Sequence, residues 1–186
     1  SSADNLVTGD ANLVQDVFVH DRQTGETFRV SVNSAGNEGN NFSEGLSISA
    51  DSLNVHVGFS SDAFLVAGDN NGVRDVFVRN RGVDTSTILV SVATDSTQGN
   101  AGSFNPSLSA DGQLVAFWSE AKILVWGETY TRADALVPDR GTGVTTRVSV
   151  ASDNTQAVAG KSAYPVISAD GRYVAFHSIA NNLVAG

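Results

Sequence analysis

The sequence contains no cysteine and no methionine, and only 3 of its 186 residues are proline. Without cysteine the chain has no disulfide to staple it, which neither proves nor excludes an exported protein. Long apolar runs are also missing, because none approaches the roughly 20 residues that a membrane-spanning helix needs. The sequence therefore predicts no membrane span.

Basic residues are scarce. The chain has 11 lysines and arginines against 20 aspartates and glutamates, which gives a net charge of −9. Binding to nucleic acid requires stripes of lysine and arginine that neutralise phosphates, so this balance argues against a nucleic-acid partner. An acidic surface suits cations better than anions.

Catalytic motifs are missing as well. No Gly-x-Ser-x-Gly elbow occurs, and the carboxylates fall mainly in turns rather than as an opposed pair. The histidines His20, His56 and His177 occupy strand positions and share no ligand spacing, which is typical of packed or surface histidines. The sequence therefore predicts no catalytic residue and no enzyme.

A repeated hairpin dominates what is present. Residues Leu108–Phe117 read LSADGQLVAF, residues Ile167–Phe176 repeat the pattern, and Ile48–Phe59 carry a worn copy of it. Asp-Gly between two apolar runs indicates a hairpin, because glycine tolerates the positive φ of such turns. We expect positive φ at Gly112 and Gly171.

Other strings recur with the same period. The string that begins DVFV or DALV starts at Asp16, Asp75 and Asp134, which are equally spaced along the chain. A Val-Ser-Val strand follows each of them. The chain therefore divides into repeats of about 1–59, 60–118 and 119–177, and residues 178–186 begin a fourth.

Four short strands per repeat predict an all-β fold, a β-propeller of four-stranded antiparallel blades with at most a turn or two of helix. Val-Phe-Val is apolar on both faces, as a strand between neighbouring blades should be. Residues 1–186 then form a single half-ring of three blade equivalents. Two outer strands come first, within about 14–33, then two whole blades, then two inner strands within about 164–178.

The hairpin and the Asp-Val-Phe-Val strand resemble the TolB-like, WD-repeat-like propeller repeats of bacteria. The resemblance covers the whole chain and concerns the fold rather than any activity. It implies an extracellular or periplasmic location. The third repeat departs most from the pattern, at Lys122, Trp126, Tyr130, Ala135 and Pro138.

Oxygen-bearing side chains recur in the loop before the Asp-Val-Phe-Val strand. Such spacing resembles a Ca²⁺ loop, because this hard cation prefers several oxygen ligands from one turn. The alternative is that these residues form Asx-turns that cap backbone amides. The third repeat keeps only the two ends, Glu128 and Asp134. The candidate calcium ligands are Asp69, Asn71 and Asp75, and, without the central glycine, Asp10, Asn12 and Asp16.

The leading functional hypothesis is a non-enzymatic binding or scaffold module for a protein or glycan. Trp118 and Trp126 are candidates for a sugar-stacking or partner patch, with packing between blades as the alternative. Two other classes stay open: an accessory propeller of a hydrolase or peptidase, and a purely structural repeat that assembles with itself. No cofactor other than calcium is implied.

Three blade equivalents cannot close an ordinary ring, because propellers have about 4–8 blades. The C-terminal pair of inner strands lacks the outer strands that the N-terminal region supplies. Two chains joined head to tail then give a six-bladed homodimer with two composite blades. The rival is that the chain is half of a longer tandem-repeat protein.

Overall fold

The computed structural model describes residues 1–2, 5–127 and 132–184, in which all the regular elements are β-strands and none is a helix. This confirms the all-β prediction. Accordingly, the described residues offer no helix long and apolar enough to cross a membrane. The strands are β1 (Phe18–His20), β2 (Thr27–Arg29), β3 (Ser43–Ala50), β4 (Asn54–Ser61), β5 (Asp75–Gly82), β6 (Thr87–Leu89), β7 (Ser103–Leu108), β8 (Val115–Ser119), β9 (Asp134–Asp139), β10 (Val144–Arg147), β11 (Ser162–Ile167) and β12 (Val174–Ser178).

The strands form two complete sheets and two incomplete ones. Strands β3 to β6 make a four-stranded antiparallel sheet in chain order, the first complete sheet, and β7 to β10 make the second. Within residues 1–2, 5–127 and 132–184, strands β1 and β2 pair only with each other, as do β11 and β12. This confirms the predicted four-stranded antiparallel sheets and the order of two strands, two whole sheets and two strands. Closure of a ring stays a prediction.

The first strands of successive sheets lie beside one another. Strand β3 contacts β7, and β7 contacts β11. Two side chains join them: the Ser47 hydroxyl accepts a hydrogen bond from the Leu108 amide at 2.9 Å, and Ser107 accepts one from Ile167 at 3.1 Å. The opening strand of each hairpin therefore occupies the inner position, and the fourth strand lies at the outer edge.

Apolar side chains fill the spaces between successive sheets. One cluster joins β1–β2 to the first complete sheet, a second joins the two complete sheets, and a third joins the second complete sheet to β11–β12. The aromatic rings of Phe59, Phe77 and Phe117 are fully buried. Burying one such side chain contributes roughly 1.5–3 kcal/mol, so these interfaces hold the stack together.

The Asp-Gly hairpins have the expected backbone. Gly112 has φ of 67° and Gly171 has φ of 73°, which confirms the prediction at both positions. A Cβ atom at Gly112 would lie 2.5 Å from the His56 ring, and one at Gly171 would lie 2.3 Å from Leu114. At Gly112 glycine is therefore required both by its φ and by the adjacent His56 side chain, whereas at Gly171 the close atom is the end of the flexible Leu114 side chain and the positive φ is the firmer requirement.

The worn copy makes a shorter turn. Asp51 donates its backbone N–H to the Asn54 carbonyl at 3.0 Å, whereas Ser109 reaches across to Leu114 at 3.0 Å in the second complete sheet. Ser52 takes the place of the glycine and has no positive φ. The strands on either side, β3 and β4, are each 8 residues long. The hairpin with Ser52 therefore has longer strands and a shorter loop than the hairpins with Asp-Gly.

Each of the three inner strands also carries a β-bulge that the sequence pattern did not predict. The pairing register shifts near the start of β3, β7 and β11, and the residue at the shift has positive φ: Gly45 (64°), Asn105 (53°) and Tyr164 (54°). Such a backbone is unusual for an aromatic residue and costs roughly 1–3 kcal/mol.

Candidate functional site

A buried aspartate precedes or opens the third strand of each repeat. Asp16, Asp75 and Asp134 are at most 5% exposed. The Oδ1 atom of each accepts a short hydrogen bond from a serine hydroxyl next to or beyond the fourth strand: Ser31 to Asp16 at 2.5 Å, Ser91 to Asp75 at 2.5 Å and Ser149 to Asp134 at 2.6 Å.

The same serines also receive a backbone hydrogen bond. The N–H of Val76 donates to the Ser91 hydroxyl at 3.1 Å, and Val17 and Ala135 make the same contact in their repeats. Each aspartate–serine pair therefore ties the third strand to the fourth. Sequence reasoning missed these serines, although the recurrent Val-Ser-Val at a near-constant distance after each aspartate was the signal for them.

In the second predicted calcium loop, the side-chain nitrogen of Asn71, and not its oxygen, points toward Asp75. Asn71 donates from Nδ2 to Asp75 Oδ2 at 2.8 Å and to the Gly99 carbonyl at 3.0 Å. Its Oδ1 accepts from the Val73 amide at 3.2 Å, which forms the Asx-turn of the alternative interpretation. The amide orientation is therefore fixed on both sides.

The first loop is built in the same way. Asn12 donates to Asp16 at 2.9 Å and to the Gly39 carbonyl at 2.9 Å, and its oxygen accepts from the Val14 amide at 3.0 Å. The structure thus brings together Asp10, Asn12 and Asp16 around one buried carboxylate, and Asp69, Asn71 and Asp75 around another. These contacts do not test calcium binding, which stays a prediction at both loops.

An arginine that sequence reasoning overlooked lies among the carboxylates of the first loop. The Arg29 guanidinium reaches Glu38 at 2.7 Å, Asp10 at 3.1 Å and Asp16 at 3.4 Å. The oxygens of these three acids lie within 4.8 Å of one another. A cation supplied by the chain itself therefore lies among these acids and offsets one of their three negative charges.

The second loop lacks that cation. Leu89 occupies the repeat position of Arg29, and Gln98 that of Glu38. Gln98 donates to the Gly68 carbonyl at 2.6 Å, much as Arg29 donates to Gly9 at 3.1 Å. Asp69 and Asp75 therefore lie near each other, and a leucine stands at the position from which Arg29 reaches the carboxylates of the first loop.

The electrostatics of the second loop are dominated by burial. Burial, and then the negative charge of Asp75, raise the pKa of Asp69 to about 6. The buried Oδ1 of Asp69 accepts no hydrogen bond from the described residues. Burial also raises the pKa of Asp75, although hydrogen bonds from Ser91 and Asn71 act in the opposite direction.

The third loop is described only in part. Glu128 and Tyr130 lie outside the described residues. Asp134 is approached by the Arg147 guanidinium at 3.6 Å and by the Gln156 side-chain amide at 3.1 Å. Arginine therefore returns in the third repeat, and of the three buried aspartates only Asp75 has leucine at that position.

A row of aromatic rings and cations crosses the bulges of neighbouring sheets. Phe104 stacks on Trp118 with centroids 4.3 Å apart, and Trp118 meets Tyr164 at 6.0 Å. The Lys161 ammonium lies 5.9 Å above the Trp118 ring, and Arg74 lies 5.8 Å above Phe104. We call Phe104, Trp118 and Tyr164 the aromatic row. Tyr164 is 52% exposed, so the row is open to solvent at that end.

The two tryptophans named from the sequence have different surroundings. Trp118 is half-buried in the aromatic row and bonds to Asn105 through Nε1 at 3.1 Å, whereas Trp126 is fully exposed. Trp126 lines a groove of about 770 Å³ with Thr94 and Ile123. Trp118 is therefore part of the aromatic row, and Trp126 projects beside the separate groove that includes Thr94 and Ile123.

The histidines also lie apart. His56 is buried between Asn80, at 2.8 Å, and Asp51, at 3.1 Å. His20 is exposed and bonds to the Thr27 hydroxyl at 2.8 Å. His177 is exposed beside the Tyr164 ring. They occupy three different environments, one packed and two at the surface.

No protein-family model matches the chain, and no curated protein matches it. Among solved structures it is similar to one described as TolB from Agrobacterium tumefaciens, with 14% identity, a TM-score of 0.41, and coverage of 88% of this chain. The chain spans 61% of that structure. Because the two superpose so loosely, the blade assignment rests on the strand pairing of this chain, and the likeness concerns the fold alone.

Proposed function

We propose that the protein is a non-enzymatic scaffold, a half-ring of a β-propeller that a second copy completes. The observation that carries this proposal is the set of strands: among the described residues, β11 and β12 are inner strands without outer partners, and β1 and β2 are outer strands without inner partners. Unpaired edges are templates for another strand. Each end of the chain supplies what the other end lacks.

The register of the composite sheet follows from the complete ones. Phe59 pairs with Phe77 between β4 and β5, with ring centroids 5.9 Å apart, and Phe117 pairs with Leu136 between β8 and β9. By the same repeat positions, Phe176 on β12 pairs with Phe18 on β1 of a second copy.

The segment just before β1 already pairs with another segment in this position. Asp16 donates its N–H to the Ser1 carbonyl at 2.9 Å, and the Ser1 amine donates to the Asp16 carbonyl at 2.6 Å. Ser1 thereby imitates Ser119, which pairs with Asp134 between β8 and β9. Ser178 is the equivalent residue on β12, so a second copy displaces Ser1 to form the composite sheet.

A charge complementation experiment tests the composite sheet. Phe18→Asp and Phe176→Asp each place a carboxylate in both junctions of a homodimer, so either variant alone should sediment as a monomer. An equimolar mixture restores one junction without a substitution and should recover dimers. Circular dichroism of each variant checks that it is folded. Folded variants that remain dimeric alone, or a mixture that stays monomeric, would contradict the proposal.

The binding surface that we propose is the aromatic row. Exposed aromatic faces offer a flat apolar platform to the C–H face of a sugar ring, and Tyr164, at the open end of the row, is 52% exposed. We therefore propose a glycan as the ligand, outside the cytoplasm as the resemblance to TolB-like repeats implies.

Tryptophan fluorescence titrated with a panel of oligosaccharides tests this surface. Trp118→Ala should abolish the response, and Trp126→Ala, a matched change at the other tryptophan, should keep it. A response lost only in Trp126→Ala would move the site to the groove beside Thr94. A panel without any response would contradict a glycan ligand and leave a protein ligand to be sought by pull-down.

A further inference from the structure

A threonine locks each outer edge onto the preceding repeat. Thr87, the first residue of β6, donates its hydroxyl to the Val32 carbonyl at 2.6 Å. Its backbone N–H donates to the Ser34 hydroxyl at 3.0 Å. Thr87 is only 4% exposed, and both of its partners lie in the loop that follows β2. The pair of contacts therefore fixes how the first complete sheet sits against β1–β2.

The same lock recurs one repeat later. Thr145 on β10 donates its hydroxyl to the Val92 carbonyl at 2.7 Å, and its N–H donates to the Thr94 hydroxyl at 3.1 Å. Two independent copies of one contact show that this is how adjacent repeats are held in register. A threonine at the start of the outer strand is the donor, and a valine carbonyl with a hydroxyl two residues later is the acceptor pair.

A third threonine and a third acceptor pair are left at opposite ends of the chain. Thr27 occupies the repeat position of Thr87 and Thr145, and Val150 with Ser152 occupies that of Val32 with Ser34. The loop that carries Val150 and Ser152 already has the conformation of the other two acceptor loops, because the same backbone hydrogen bond closes all three. The amide donates to the carbonyl four positions later: Asn33 to Asn37 at 2.9 Å, Ala93 to Thr97 at 2.8 Å and Ala151 to Thr155 at 2.8 Å.

We infer that Thr27 of a second copy docks on Val150 and Ser152, so that the two junctions of the dimer are locked by the contact that holds the repeats together within the chain. This inference rests on the proposed function and names its partner and its contact residues. A threonine contact on Val150 and Ser152 would reach the outer edge of the β11–β12 sheet. In the proposed dimer, β2 of a second copy supplies that edge. Thr27 is partly exposed, and its hydroxyl bonds to the exposed ring of His20.

Cysteine pairs test the contact directly, because the natural chain has none. Single variants Thr27→Cys and Ser152→Cys, mixed and treated with a short bis-maleimide, should give a covalent dimer. Each variant alone should give little, because the two cysteines of a homodimer then lie at different junctions. The control is the pair Ser34→Cys with Thr87→Cys in one chain, which should cross-link within the monomer.

A second measurement does not depend on cross-linking. Thr27→Val should raise the dissociation constant of the dimer about tenfold or more, because each of two junctions loses a hydrogen bond worth several-fold in affinity. Thr87→Val, the matched change within the chain, should lower the melting temperature without that effect on association.

The outcomes separate the contact from the assembly. A wild-type dimer whose dissociation constant is unchanged by Thr27→Val would overturn the lock while leaving the composite sheet in place. A chain that stays monomeric at every concentration would overturn both. Cross-linking between the mixed cysteines together with weakened association would support the lock.

Discussion

The complete sheets and the incomplete ones contain the same sequence motifs in different surroundings. In β8, Val115, Ala116 and Phe117 are fully buried. The same three residue types in β12 are half-buried or exposed. Likewise Phe77 of β5 is fully buried, whereas Phe18 of β1 is half-buried. Strands that share a motif are thus buried in the middle of the chain and partly exposed at its ends.

This difference shows what the motif requires. A Val-Ala-Phe strand needs a neighbour on each edge and apolar cover on each face, and in the complete sheets it has them. In β12 one edge pairs with no strand in the part of the chain that the structure describes. Since exposed strand edges favour pairing with another strand, the comparison favours association of the chain through its two ends rather than through its faces.

The largest expected effect separates two phenylalanines at the same repeat position. Phe77→Ala should lower the free energy of unfolding by about 3–5 kcal/mol at any protein concentration, because it empties a sealed interface. Phe18→Ala should have its main effect only where the dimer forms, so its cost should grow with concentration. Thermal melts at several concentrations measure both. Equal, concentration-independent losses would erase the distinction between complete and incomplete sheets.

The next effect compares two glycines with similar backbones. Gly171→Val should destabilise the protein by roughly 1 kcal/mol or more, because φ is positive and the new side chain meets Leu114. Gly143→Val provides the control, since φ there is 75° but no atom lies within 4 Å of its Cβ position. Denaturant unfolding should show the larger loss for Gly171→Val. Equal losses would show that packing on Leu114 contributes nothing.

The acidic loops of the first and second repeats differ by an ion pair, because Arg29 and Glu38 of the first loop are replaced by Leu89 and Gln98 in the second. The pKa of Asp69 is raised from 3.8 to about 6, so its contribution to stability is fully present below about pH 4 and is lost as the pH rises through 6. Asp69→Asn should remove this loss. Because Asp69 is only half-buried, screening limits the gain at pH 7.5 to about 1 kcal/mol.

Asp10→Asn is the matched change beside Arg29, and it should destabilise by about 1–2 kcal/mol because it removes an ion-paired hydrogen bond. Urea unfolding at pH 4 and 7.5 measures both variants. The same sign for the two substitutions at pH 7.5 would contradict the role assigned to Arg29 and Leu89.

Calcium gives the smallest expected effect. If the pair of Asp69 and Asp75 binds the ion, millimolar Ca²⁺ should raise the melting temperature at pH 7.5, and EDTA should reverse the rise. The rise should disappear in Asp69→Asn and persist in Asp10→Asn, because Arg29 already occupies the first loop. Melting curves that ignore both Ca²⁺ and EDTA would remove the calcium prediction.

The sequence was sufficient to predict the strands and their grouping, because the constant spacing of Asp16, Asp75 and Asp134 and the Asp-Gly hairpins are visible in the sequence itself. The positive φ of the hairpin glycines was predictable for the same reason. The bulge at Tyr164 was not, because positive φ is unusual for an aromatic residue and the repeated strings do not mark it. The pattern also showed the carboxylates of the loops but not Arg29, which lies on the next strand and reaches Asp16 only in the folded chain.

The mass of the 186-residue chain in solution tests the central claim most directly. Light scattering at micromolar concentration should give twice the monomer mass of 19.3 kDa, because in the proposed dimer a second copy completes each incomplete sheet. Deleting residues 1–8, which removes Ser1 from its pairing with Asp16, should keep the dimer and tighten it. A folded species that stays at the monomer mass in both forms would contradict the account.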